Sequence, residues 1–257
     1  MQVVILVAGY ATRMYPLTEH CPKALLPVRG VQIIDYILGK VFAIQQPGIE
    51  RVTLVSNHRF HGHFVNWQRW REPHVKLEIL DDGSTTDENR LGAIGDIQFA
   101  IEKQGIDGNL LVLAGDNLFQ FDLTDLVRLS EQRDADCVIV RKIEGVEARR
   151  RTGIVVLDGD SRVTDFEEKP KQPRSHWGVP PIYAFRRDTV PLIGQYLRED
   201  GNPDAPGNFI AWLHKRKPVY ALRADGHVLD VGSRDTYASA HEYLDDARLA
   251  DFGIRVW

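Results

Sequence analysis

VVILVAGYATRMYPLTEHCPKALLPV, residues 3–28, decides how the rest of the chain is read. Its opening run, Val3 to Ala8, is apolar without interruption, rich in β-branched residues and too short for a helix of ordinary length. Such a run reads as a strand buried on both faces, as in the middle of a parallel sheet. It breaks at Gly9-Tyr10-Ala11-Thr12-Arg13, a small-residue turn at the carboxyl end of the strand, where open α/β sheets place their ligands. Arg13 is delivered into that crevice. Lys23 follows on backbone stiffened by Pro16 and Pro22, which excludes a helix there. Two fixed cations beside exposed amides suit a polyphosphate.

Outward from this stretch the same alternation continues. Apolar residues at Ile33, Ile34, Ile37, Leu38, Val41 and Phe42 predict a helix over 31–46, ending near Pro47-Gly48. A strand over 52–55, a helix over 58–70 carrying Phe60, Phe64 and Trp67, and a strand over 75–80 complete a doubly wound pattern. The polar, breaker-rich segment 81–90 leads into Leu91-Gly92-Ala93-Ile94-Gly95 at the start of another helix. A second central strand, 110–114, ends in Gly115-Asp116-Asn117. A carboxylate presented by a glycine at the carboxyl end of a buried strand is well placed to hold a hard dication over phosphates. The neighbouring helix, 123–133, has its own starters in Asp122 and Thr124, so a capping role for Asp116 is the weaker reading.

Farther on, a strand over 136–142 precedes the charged segment 144–151, whose Arg149-Arg150-Arg151 reads as a solvated loop. The segments 153–157 and 163–166 flank Asp158-Gly159-Asp160 and read as a hairpin. It runs into Glu167-Glu168-Lys169-Pro170. One strand is expected over 179–185, helices over 188–198 and 208–215, a final hairpin-like pair over 219–222 and 227–229, and a helix over 234–248 before the tail Phe252 to Trp257.

Composition narrows the class. The chain has 257 residues, 43% hydrophobic and 26% charged, with a formal net charge of -4. These values fit a globular α/β protein and argue against general binding to nucleic acid, which favours a basic face. The two cysteines, Cys21 and Cys137, encode no disulfide framework or zinc site. Cys21 lacks an activating partner and reads as filler. His58, His61 and His63 crowd together without a third ligand at fixed spacing and read as a solvated helix start. No P-loop or completed dinucleotide fingerprint occurs. No signal peptide fits the N-terminus and no apolar stretch approaches the ~20 residues of a membrane span, so a cytoplasmic protein is expected.

The ordered motifs resemble those of the sugar-1-phosphate nucleotidyltransferases, which include glucose-1-phosphate thymidylyl- and uridylyltransferases and mannose-1-phosphate guanylyltransferases. Gly9-x-Ala11-Thr12-Arg13-Met14-x-Pro16-Leu17-Thr18 and Pro22-Lys23-x-Leu25-Leu26-Pro27-Val28 are similar to GxGTRLxPLT and PKxLLPV. The resemblance extends through Gly92, the Gly-Asp-Asn at 115–117, the Glu-Glu-Lys-Pro at 167–170, and Asp230-Val231-Gly232-Ser233, similar to DVGT. It implies one α/β domain over 1–257 with a Rossmann-like, doubly wound mixed sheet, largely parallel, with helices on both faces. Residues 1–142 would form a nucleotide-binding half, 143–233 a sugar-phosphate-binding half, and 234–257 a C-terminal helix and tail.

The same resemblance implies the site. Ala8, Gly9, Ala11, Thr12, Arg13, Lys23 and Gly92 would bind the nucleotide, Gly92 at its base. Gly153, Glu168 and Lys169 would bind the sugar phosphate, and Asp116 and Asp230 would hold Mg²⁺. Arg13, Lys23 and Asp116 would carry the catalysis. One departure is Ala11, where the family commonly has glycine; its methyl admits a phosphate if φ is negative there. The implied reaction joins an NTP and a sugar 1-phosphate into an NDP-sugar and pyrophosphate, by direct attack at the α-phosphorus. Two other readings are a cytidylyltransferase for phosphocholine or another alcohol phosphate, with Trp177 and Tyr183 near the acceptor, and a silent nucleotide-sugar sensor. The base, the sugar and the oligomeric state are open, a homo-oligomer included, and the stretch after the transferase motifs has no hexapeptide period, so a β-helix of such repeats is not expected there.

Overall fold

The computed structural model describes residues 1–71 and 75–244. In chain order these form β1 (Gln2–Leu6), β2 (Pro27–Val28), β3 (Val31–Gln32), α1 (Ile33–Phe42), β4 (Arg51–Ser56), α2 (His58–Gln68) and β5 (Lys76–Asp81). Then come α3 (Ala93–Gln104), β6 (Leu110–Ala114), β7 (Asn117–Phe119), α4 (Leu123–Arg133), β8 (Asp136–Lys142), α5 (Val146–Arg149), β9 (Gly153–Leu157) and β10 (Val163–Glu167). The last are β11 (Trp177–Val179), β12 (Ile182–Phe185), α6 (Val190–Arg198), α7 (Pro206–Leu213), β13 (Val219–Arg223), β14 (Val228–Asp230) and α8 (Arg234–Tyr243). The expected end of the last helix beyond residue 244, and the tail after it, lie outside the described residues.

The chain forms two compact units interleaved in sequence. Among the described residues, the N-terminal unit comprises Val3–Arg90, Ala114–Thr124 and residues 226–244; the central unit comprises Met1–Gln2, Leu91–Leu113 and Asp125–Asp225.

In the N-terminal unit β1, β4 and β5 lie side by side, with β4 and β5 parallel and in register from Arg51↔Lys76 to Ser56↔Asp81. Val3, Val4, Ile5, Val52, Leu54 and Val55 are fully buried, as continuous β-branched runs between covered faces require. Helix α1 buries Ile33, Ile34, Ile37, Leu38 and Val41, the stripe read from the sequence. Its Asp35 accepts from Trp67 Nε1 (3.2 Å) and from Arg71 Nε (3.0 Å) and Nη2 (2.6 Å), tying α1 to the end of α2. The small hairpin of β2 and β3 was not expected. It turns through Arg29 (φ 53°) and Gly30 (φ 84°), the two positive-φ residues that a two-residue hairpin turn with matching twist requires.

The central unit is a mixed sheet in the order β10-β9-β11-β8-β12-β6, with β13 added parallel to β8. The hairpin of β9 and β10 is present and antiparallel. Two expectations are corrected. The single strand over 179–185 is two strands, because Pro180 and Pro181 have no N–H for a ladder; Ile182 N turns back to Pro180 O at 2.7 Å. β11 pairs with β9 and with the end of β8, while β12 pairs with β6 and the start of β8. The final hairpin is absent as well. β13 is parallel to β8, its Val219 and Ala221 buried, and β14 is antiparallel to β7. The pairing of β13 with β8 ends with Ala224 N donating to Val140 O at 2.9 Å, and the chain turns away at Gly226 (φ 104°).

Candidate active site

In the N-terminal unit the chain after β1 is held from below. Val7 N donates to Val55 O (2.9 Å) and Ala8 O accepts from Asn57 Nδ2 (2.8 Å). Asn57 is fully buried, and its Oδ1 accepts from Phe60 N at 2.9 Å, capping α2. One side chain thus fixes both the start of a helix and the root of the loop. Gly9 is exposed, with nothing within 4 Å of the place a Cβ would take. Tyr10 turns inward and meets Ser84 Oγ at 3.5 Å.

Ala11 does not have the negative φ that its methyl called for. It is left-handed, at φ 49° and ψ 39°. Its carbonyl holds it there, accepting from Met14 N (2.9 Å) and from the buried Thr18 Oγ1 (2.8 Å) as a turn of 3-10 helix over Thr12–Met14 begins. Arg13 projects from this turn to solvent; among the described residues its side chain makes no hydrogen bond or ion pair.

Lys23 follows the extended Pro22 and opens a second 3-10 turn. Its Nζ lies 2.5 Å from Asp116 Oδ2, with side-chain exposures of 17% and 29%. The other carboxylate oxygen of Asp116 accepts from Asn117 Nδ2 at 2.7 Å. The turn that presents Asp116 depends on Gly115: a Cβ there would lie 2.9 Å from Leu6 O and overlap Val7, while Gly115 N donates to that same Leu6 O at 2.9 Å. Asp230 is brought to this point by the antiparallel pairing of β14 with β7, where it stands opposite Asn117, and Val231 N donates to Asp116 O at 3.1 Å. A Cβ on Gly232 would approach the Asp230 carboxylate to 3.2 Å. Lys23, Asp116 and Asp230 therefore converge from three separate stretches of sequence.

The other site candidates lie in the central unit. Gly92, at φ 79°, precedes α3, and a Cβ on it would lie 2.7 Å from Pro203 O, which accepts from Ile94 N at 2.9 Å. Both the positive φ and the close carbonyl demand glycine. Gly153 opens β9 opposite Val179, and a Cβ there would lie 2.8 Å from Glu168 Oε2. Burial pushes the Glu168 carboxyl above the ordinary glutamate range, with Lys169 opposing it. Lys169 is left-handed (φ 48°) and mostly exposed, with its Nζ 3.9 Å from Glu168 Oε1. Tyr183 is buried beside Glu168, and burial followed by that charge raises its hydroxyl far above the usual tyrosine value.

An aromatic cage for a quaternary ammonium is not open here. Tyr183 is 2% exposed and the Trp177 ring faces the Arg223 guanidinium at 5.1 Å. Arg149 and Arg150 are surface tethers, to Gly145 O (3.2 Å) and to Lys171 O (3.0 Å). His58 pairs with Asp81 (2.6 Å) and His61 with Ser56 (3.3 Å), and among the described residues no group of three His, Cys, Asp or Glu is arranged for a metal. Burial raises the Cys21 thiol and takes that of Cys137 up to about 12, the reverse of what a nucleophile needs. No helix of the described residues is long and apolar enough to cross a membrane.

Sequence reasoning missed Asn57 and Asn117, which hold the loop and Asp116. An Asn between a strand and an amphipathic run is a helix-cap signal that could have marked Asn57; Asn117 stands in the Gly-Asp-Asn motif, but nothing in the sequence shows that its side chain holds Asp116.

The family model of nucleotidyl transferases matches residues 2–247. The chain is 26% identical over 246 residues to the bifunctional protein GlmU of Methanocaldococcus jannaschii, covering 96% of this chain and 55% of that protein. It is 30% identical over 261 residues to a glucose-1-phosphate adenylyltransferase of Thermomicrobium roseum, covering 94% and 59%. The chain thus spans between half and about three-fifths of the length of these relatives. A UTP-bound UGPase from Acinetobacter baumannii has the same fold, with a TM-score of 0.76 at 19% identity, over 94% of this chain and 92% of that one.

Proposed function

The chain belongs to the nucleotidyl transferase family, and we propose that it condenses an NTP with a sugar 1-phosphate, releasing pyrophosphate and an NDP-sugar. The observation that carries this reading is the convergence of Lys23 on Asp116, with Asp230 delivered beside them by the β7–β14 pair. A sensor that only binds would not need a dication site joined to a leaving-group cation. The names of the relatives, built on glucose 1-phosphate adenylyl transfer and on GlmU, support the class of reaction.

The donor set fits Mg²⁺. Two carboxylates, Asp116 in the turn before β7 and Asp230 at the end of β14, are what this ion takes from a protein when substrate phosphates supply further ligands. Asp116 and Asp230 would hold it, and when bound it would offset charge on the phosphates. The chain's own cations do the rest. Arg13, uncommitted on its turn, and Lys23, once it leaves Asp116, neutralise the triphosphate and the departing pyrophosphate. Gly9 offers an exposed amide without a side chain, and Gly92 lies against the base. Lys169 draws in the phosphate monoester and Glu168 accepts hydrogen bonds from sugar hydroxyls. The monoester oxygen attacks the α-phosphorus, the bond to pyrophosphate breaks, and no protein nucleophile is used. Catalysis is alignment and charge neutralisation. A cytoplasmic setting belongs to the same proposal, supported by two unpaired cysteines.

The test is pyrophosphate release with Mg²⁺ across ATP, CTP, GTP, UTP and dTTP, each against glucose, mannose and N-acetylglucosamine 1-phosphates and phosphocholine. Strong release with one sugar 1-phosphate is expected and would fix base and acceptor together. Release with phosphocholine alone would replace the acceptor. Silence throughout, from folded protein that binds nucleotide, would mean an acceptor outside this set or a sensor.

A further inference from the structure

We infer that Gly207 is a positioning residue for the acceptor side of the reaction: the side chain it lacks is the space in which the Glu168 carboxylate lies. This rests on the reading of Glu168 as the group that accepts from sugar hydroxyls. Oε2 of Glu168 is lodged between two glycines. A Cβ on Gly153 would lie 2.8 Å from this oxygen and 2.7 Å from Phe166 Cζ; a Cβ on Gly207 would overlap the oxygen and lie 2.8 Å from the same ring carbon. The two walls come from different elements, the first residue of β9 and the second of α7, and α7 packs on β10, from whose end Glu168 projects.

Backbone conformation does not explain the glycine at 207. It is not among the residues of positive φ, and it stands in the first turn of a helix begun by Pro206. Alanine is the better helix former there, so propensity favours a methyl group; what opposes it is the Glu168 carboxylate, the closest contact, with the edge of the Phe166 ring beside it.

The site of the overlap decides what a methyl would disturb. The oxygen is the tip of a flexible side chain, so it moves aside while the backbone stays. Its partner cation, Lys169 Nζ at 3.9 Å from Oε1 and mostly exposed, does not anchor it. An acceptor works only at hydrogen-bond distance, and a misplacement of about 1 Å is enough to lose its contribution. Gly207 therefore sets where Glu168 points without touching the substrate, and the cost of filling it falls on the acceptor.

The experiment compares wild type, Gly207→Ala, Glu168→Ala and the double variant. Glucose, mannose and N-acetylglucosamine 1-phosphates are each varied against saturating NTP, with pyrophosphate release and thermal midpoints recorded. Gly207→Ala is expected to raise the acceptor KM about tenfold, to leave kcat nearly unchanged, and to keep or raise the midpoint. The double variant should be no worse than Glu168→Ala alone. A wild-type acceptor KM in Gly207→Ala, while Glu168→Ala loses affinity, would overturn the inference and leave the function standing. So would a Gly207→Ala penalty that persists undiminished in the Glu168→Ala background. No turnover with any sugar 1-phosphate, or a wild-type KM in Glu168→Ala, would overturn the acceptor reading and the inference with it.

Discussion

The two units treat charge in opposite ways. In the N-terminal unit the Asp116 carboxylate has both oxygens engaged, one by Lys23 and one by Asn117. In the central unit Glu168 is more buried than Asp116, its partner cation Lys169 is 3.9 Å away, and its protonated form is favoured by burial. A closed pair is stable without a ligand and has to open to take one. A desolvated carboxylate is already in position and gains from any donor that arrives. The proposed nucleotide side thus exchanges partners, while the proposed acceptor side fills a gap.

Four substitutions would break or sharpen this contrast. Asp116→Asn removes the charge that both Lys23 and the ion need, and turnover by pyrophosphate release should fall by about 10³-fold, the upper end for loss of one charge-stabilising group. Lys23→Ala should cost roughly 100-fold in turnover. Because it also frees Asp116, binding of Mn²⁺ alone, followed by its electron spin resonance signal, should become tighter than in wild type; weaker binding would mean that the pair helps hold the ion. Glu168→Gln should raise the acceptor KM about tenfold, the scale of a hydrogen bond to a charged group. Its carboxyl titrates above the ordinary glutamate range, so acceptor affinity in wild type should decline as pH falls through that raised value. The acid limb should vanish in Glu168→Gln. The smallest effect is Ala11→Gly, which relieves a left-handed alanine and should stabilise the protein by about 0.5–1 kcal/mol, read as a rise in thermal midpoint.

What could be read from the sequence was what is local in it. The loop after β1 announced itself because strand, turn and cations follow one another within one stretch, and the helices and parallel strands of the N-terminal unit showed their own periodicity. Asp116 was legible for the same reason, at the end of an apolar strand. Asp230 needed the resemblance, because it reaches Asp116 only through a pairing of β14 with β7 that no periodicity encodes. The hairpin expected from 219–229 failed on that point: two short apolar runs close in sequence went to different partners. The backbone of Ala11 is not legible in the sequence, because its left-handed conformation is held by Thr18, seven residues on, and not by alanine itself. Gly207 gave no sign, since a glycine after a proline reads as a turn until the carboxylate beside it is seen.

Asn57 has a consequence for motion. Its two polar groups join the first turn of α2 to the carbonyl of Ala8, so the loop root and the helix start share one opening equilibrium. Fraying of that first turn lets go of Ala8, and a ligand that quiets the loop also protects the amide of Phe60 from exchange with solvent. Nucleotide occupancy would therefore be legible in a helix terminus that never meets the nucleotide.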